Sequence, residues 1–175
     1  DDPRYGALKA EWGEAAGPRM FAFLQIQAIA AWPLALSAWL AAAAPRGPLG
    51  AQDALGIALF ALALAGEASA DRQMARFRVD PANRGRICDR GLWAWSRHPN
   101  YFFEWMAWLA YPTIAISLPH PTSLLALGAP LVMYVLLARV SGVPPLEAHL
   151  KRSRPDAFAS YESRVSEFWP WPPRA

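Results

Sequence analysis

The sequence has one cysteine, Cys88, and only three histidines, His98, His120 and His149, spread along 175 residues. An internal disulfide is therefore impossible, and neither a multi-cysteine zinc or iron–sulfur site nor a many-histidine di-iron centre can be assembled. Charge is also scarce: Asp, Glu, Lys and Arg make up 18% of the chain, whereas 54% is hydrophobic. No G-x-G-x-x-G follows a strand, and G-x-x-x-x-G-K-[ST], G-x-S-x-G and H-E-x-x-H are all missing. Any nucleotide must then be held by helix ends and arginines rather than by a glycine-rich strand-to-helix turn. The net charge of +3 invites a nucleic-acid reading, but basic loops without a soluble reading module argue against that partner.

What the sequence does have is long apolar runs. Met20 to Ala44 is 25 residues without a charge, about 37 Å of helix at 1.5 Å per residue, enough to cross a hydrocarbon core. Pro33 within it is expected to bend the helix. A second helix is expected over 52–78, built on the apolar run Ala54 to Gly66 and leaving the membrane at its polar end. A third is expected over 100–118 and a fourth over 122–139. The fold class is thus all-α: a polytopic integral-membrane bundle of about four transmembrane helices in a single domain. Because the chain opens on Asp1 and not methionine, it reads as a fragment or processed piece of a larger bundle. Asp1 to Pro18, with Tyr5, Leu8, Trp12 and Ala16 at helical spacing, suggests an amphipathic approach.

The basic residues test this reading independently. Three precede the first span, seven lie between the second and third, and six follow the fourth, so 16 of 17 fall on alternate segments. Cytoplasmic segments carry the Lys and Arg excess, which places the amino end, loop 72–98 and the tail from 140 to 175 in the cytoplasm, at a bacterial inner membrane. Trp12, Trp93, Trp95, Trp169 and Trp171 flank the spans on that side, where indole suits the headgroup layer, although each also fits as an ordinary packing aromatic.

Chemistry-bearing residues concentrate between the second and third spans. Glu67, Asp71, Met74 and Arg78 share a helix face at steps of four, three and four, either as surface ion pairing or as groups for a ribose and a phosphate. Asn83 to Gly91 is a turn-rich, arginine-bearing stretch suited to phosphate or to anionic lipid headgroups. In Ser96-Arg97-His98-Pro99-Asn100-Tyr101, Pro99 can open a helix whose amino end favours an anion, with Glu104 one turn beyond Asn100. Glu104 either stabilises the first turn of that helix or, as an ionisable residue on a membrane helix, is a functional candidate. Arg139 ends the fourth span as a snorkelling residue or an anion clamp, and Lys151, Arg152 and Arg154 read as headgroup contacts. Gln25 and Gln27 either line a substrate cavity or form interhelical hydrogen bonds.

The run Gly91-Leu-Trp-Ala-Trp-Ser-Arg-His-Pro-Asn-Tyr-Phe-Phe-Glu104, with Asp71 to Arg78, Arg139 to Glu147 and Tyr161 to Pro170, resembles bacterial membrane proteins grouped with the steroid 5-alpha-reductase carboxyl-terminal domain. The Asp1-Asp-Pro-Arg-Tyr opening and Phe21 to Ala28 extend the resemblance over nearly the whole chain. The wider superfamily includes sterol reductases, which use NADPH, and isoprenylcysteine carboxyl methyltransferases, which use S-adenosylmethionine. The resemblance implies a cytoplasm-facing cofactor pocket and a lipid-like substrate that enters from the bilayer. It implies cofactor contacts at Asp71, Arg78, Asn100, Glu104 and Arg139, with Arg97 and His98 in the shared signature. Asn100, Tyr101 and Glu104 resemble the reductases more than the methyltransferases, whereas Arg139, Glu147 and Leu150 can also be likened to a methyltransferase motif. The implied activity is NADPH-dependent reduction of a conjugated double bond, with S-adenosylmethionine-dependent methylation or non-enzymatic lipid binding as alternatives. No proton donor is assigned.

Overall fold

The computed structural model describes residues 3–44 and 49–174; Arg46, Asp1 and Asp2 and the side chains of Arg4 and Tyr5 lie outside the described residues. Among the described residues seven α-helices run α1 (Pro3–Trp12), α2 (Ala16–Ala42), α3 (Ala51–Val79), α4 (Pro99–Ala115), α5 (Gly128–Val135), α6 (Val143–Ser153) and α7 (Pro155–Arg164). Short 3-10 turns and one π-turn connect some of them, and no strand occurs among the described residues.

Among the described residues three helical stretches are long and apolar enough to cross a membrane: Leu8–Ala42, Ala51–Val79 and Pro121–Ser153. Their apolar side chains face outward, with Phe21, Ile29, Trp32, Trp39, Leu55, Leu62 and Leu131 all exposed. A hydrophobic belt of this extent suits lipid rather than water. The third expected span, α4, has 17 residues and ends at Ala115, three short of the expected boundary, because Ile116 turns extended ahead of a Ser117–His120 turn.

The most extensive contact between helices is that of α3 with α4. Gly56, Ala63 and Ala70 recur every seven residues on α3 and are all buried, so a stripe of small residues lets α4 approach closely, while Phe77, seven residues further on, packs against Cys88 and Trp93 of the loop. A Cβ on Gly56 would lie 2.3 Å from Ile114 Cγ1, and one on Gly66 would lie 2.4 Å from the Phe103 ring. Asp53 accepts the Gly50 N–H at 2.9 Å and so caps the start of α3. Gln52 Nε2 donates to the carbonyls of Thr113 and Ile116 at 2.7 and 2.8 Å, which satisfies the end of α4.

The fourth span is expected as one α-helix over 122–139, but it is a composite. It opens as a 3-10 turn at Pro121–Leu127, continues as α5 and widens into a π-turn at Leu136–Val140. Proline chemistry accounts for part of this. Pro130 has no N–H for the Ala126 carbonyl, and Ser37 Oγ of α2 donates to that oxygen at 2.9 Å instead. α2 runs through Pro33 as one continuous helix, and Gln25 and Gln27 are both exposed on it.

Candidate functional site

The polar end of α3, the loop 80–98, the start of α4 and the helices α6 and α7 meet around a cavity of about 950 Å³. The loop owes its shape to local capping. Asp80 accepts the Ala82 N–H at 2.9 Å, with Pro81 opening a 3-10 turn. Buried Asn83 donates from Nδ2 to the Phe77 carbonyl at the end of α3, 2.9 Å away. Gly91 has φ +62°, and a Cβ there would meet Gln73 Oε1, which accepts the Leu92 N–H at 2.9 Å. Trp93 Nε1 then donates to the Ala70 carbonyl at 3.0 Å. Trp93 is buried, so it is a packing residue and not the interfacial anchor expected from its place in the sequence; Trp95, Trp169 and Trp171 are exposed.

The tail is stitched to this loop by buried polar groups. Arg97 Nε donates to Glu147 Oε1 at 2.7 Å, and its Nη1 donates to the Val165 carbonyl at 2.9 Å. His98 Nε2 lies 3.1 Å from the same Glu147 oxygen, and the His98 ring stacks on Tyr101 with centroids 5.6 Å apart. Burial by itself would raise the Glu147 carboxyl, but hydrogen bonds from His98 and Arg97 and the charge of Arg97 outweigh it and hold the group at about 2. Tyr161 donates its hydroxyl to the Trp93 carbonyl at 2.6 Å, and burial pushes its ionisation upward. Ser96 Oγ donates to the Phe168 carbonyl at 2.9 Å and accepts the His98 N–H at 3.1 Å.

Of the residues singled out in the sequence, Asp71, Arg78, Arg97, His98 and Asn100 all border the cavity. Glu104 and Arg139 are not among its lining residues. Glu104 lies within electrostatic range of Glu67 and Asp71 along the α3–α4 contact. Arg139 sits on the π-turn, 61% exposed, and faces Glu167 at 3.6 Å.

Sequence reasoning gave too little weight to Arg154, assigned to headgroups: it borders the cavity and donates to the Arg86 carbonyl at 2.8 Å. It also missed the Glu147 clamp, for which a lone acid on the amphipathic helix α6 was the available signal. In all, five arginines (Arg78, Arg84, Arg86, Arg97 and Arg154) face two aspartates (Asp71 and Asp80) around the cavity. The side chains of Arg78, Arg84 and Arg86 have no hydrogen bond or ion pair among the described residues. Apolar walls come from Met74, Phe77, Trp93, Leu146 and Leu150. Such a space can hold an anion at one part and a flat or apolar group at another.

Residues 1–165 match the family described as Protein of unknown function (DUF1295). The chain belongs to that family. No curated protein and no solved structure matches it. Membership in DUF1295 carries no assigned activity, so the chemistry of this DUF1295 chain is read from the cavity. Among the described residues no cluster of His, Cys, Asp and Glu is arranged to hold a metal ion.

Proposed function

We propose that the chain is an integral-membrane, NADPH-dependent reductase acting on a conjugated double bond of a hydrophobic, steroid-like or lipid substrate. The observation that carries this reading is the cavity of about 950 Å³ bordered by five arginines against two aspartates, three of those arginines without a side-chain partner among the described residues. Unpaired guanidinium groups around one space favour a ligand with several phosphates, because each presents a planar fork to phosphate oxygens. The volume is at the upper end of ordinary small-molecule sites.

In this reading the membrane is crossed four times, with α4 as the short third crossing. The amino end, the loop 80–98 and the tail are cytoplasmic, in keeping with the segregation of Lys and Arg. NADPH, when bound, supplies the hydride. The residues of the chain do the rest. Arg78, Arg84, Arg86 and Arg154 neutralise phosphate charge, Asp71 accepts from a ribose hydroxyl, and Asn100 hydrogen-bonds the sugar or the carboxamide. Arg97 and His98 keep the tail closed over the cavity through Glu147, and the apolar walls exclude water. Glu104 and Arg139 lie outside this set. S-adenosylmethionine carries no phosphate and leaves the free arginines unused, and Glu147, its natural counter-charge, is already committed to Arg97 and His98.

The test is titration of the purified chain in lipid nanodiscs with NADPH, NADH and S-adenosylmethionine. NADPH is expected to bind most tightly, and Arg78→Ala to weaken NADPH more than NADH. Equal losses would remove the 2′-phosphate from Arg78, and binding of S-adenosylmethionine alone would replace the reductase reading with the methyltransferase one.

A further inference from the structure

The His98 side chain is 5% exposed, yet only one of its ring nitrogens is satisfied by protein. Nε2 lies 3.1 Å from Glu147 Oε1, and Nδ1 makes no hydrogen bond among the described residues. Glu147 is an acceptor: Arg97 Nε already donates to the same oxygen at 2.7 Å, and a carboxylate has no hydrogen to give. Nε2 must therefore carry the ring proton. In that tautomer Nδ1, the nitrogen without a protein partner among the described residues, carries the lone pair. One ring face is covered by Tyr101, stacked at 8° between planes, and the open space that His98 borders is the cavity. A buried acceptor without a partner is rare and costly, which points to a ligand atom as its complement.

We propose that His98 Nδ1, its tautomer fixed by Glu147, is a hydrogen-bond acceptor presented to the cavity, so that the ligand places a hydroxyl or amide N–H there and its phosphates elsewhere. In naming that ligand as a pyridine nucleotide the inference rests on the proposed function; a ribose hydroxyl or the carboxamide meets the requirement. It gives the ligand a direction, with the donor-bearing part against the start of α4 and the phosphates among Arg84 and Arg86 of the loop and Arg154 of the tail.

The experiment uses His98→Gln, whose amide reaches the place of Nε2 and keeps the bond to Glu147 but has nothing at Nδ1. NADPH affinity of the variant in nanodiscs is expected to fall about tenfold, as for one lost neutral hydrogen bond, with thermal stability nearly unchanged. Unchanged affinity means that His98 only holds the tail, and overturns the proposal. The second readout is nitrogen NMR of histidine-labelled protein, with His98 assigned by its loss in His98→Gln. Nδ1 is expected to be bare in the free protein and to shift when NADPH binds; a proton on Nδ1 in the free protein refutes the assignment. Should NADPH not bind at all, the reductase reading falls on its own, and S-adenosylmethionine, which has amine donors, is titrated in the same spectra. An Nδ1 signal that neither compound moves overturns the inference.

Discussion

Replacing Glu147 by alanine should release the tail from the cavity. Arg97 and Glu147 are 2.7 Å apart and each is 8% exposed, so the substitution leaves a buried guanidinium with the Val165 carbonyl at 2.9 Å, the Glu162 carbonyl at 3.4 Å and a Glu162 carboxylate oxygen at 3.8 Å. Removing one partner of a buried pair costs about 3–5 kcal/mol. A second route gives a similar size. The Glu147 carboxyl is held at about 2 instead of the usual 4.5, a gap that corresponds to about 3 kcal/mol at neutral pH. Because the folded value is the lower one, this contribution is complete above about pH 4.5 and is lost as the pH falls toward 2. Hydrogen exchange of the α6 and α7 amides in nanodiscs reads the opening locally. Glu147→Ala should speed that exchange at least about a hundredfold. A double replacement of Arg97 and Glu147 by Met and Leu should recover most of the loss, since it leaves no orphaned charge. An increase below about fivefold, no larger than for breaking the exposed Arg139–Glu167 pair, would refute the idea that this clamp holds the tail.

Gly66→Ala places a Cβ within 2.4 Å of the Phe103 ring and should destabilise the α3–α4 pair by about 1–3 kcal/mol in thermal unfolding, with Phe103→Leu restoring part of it. Arg139→Ala is expected to leave NADPH affinity within about twofold of the parent, because Arg139 does not border the cavity, whereas Arg84→Ala should weaken it several-fold. Cys88 is 3% exposed and burial raises its thiol, so maleimide labelling at neutral pH should be slow and should accelerate in Glu147→Ala as the tail opens.

Much of the fold could be read from the sequence because lipid demands continuous apolar helices. The charge-free stretch from Met20 and the run from Ala54 both became long helices, and α3 ends within a residue of the expected 78. The stretch expected as one α-helix over 122–139 is helical but has a different interior, since the periodicity of apolar residues cannot distinguish 3-10, α and π geometry. The signals that mattered there were Pro130 and the Ser37 hydroxyl, 89 residues apart from Ala126 in the chain. The seven-residue recurrence of Gly56, Ala63 and Ala70 was visible all along and marks the tightest helix contact. Within the site, Asp71, Arg78 and Asn100 could be found because helix spacing and the Pro99 start place them on neighbouring turns. Glu147 and Arg154 could not, because what brings them to Arg97 and to the Arg86 carbonyl is a fold-back of the tail onto residues about 50 and 68 positions earlier.

Most direct is a titration of the chain in nanodiscs with NADPH, followed by the fluorescence of the reduced nicotinamide. Saturable binding that weakens in Arg78→Ala and in Arg84→Ala is the predicted result. Fluorescence that stays flat at NADPH concentrations up to the millimolar range, from protein whose α6 and α7 amides are protected, would contradict it.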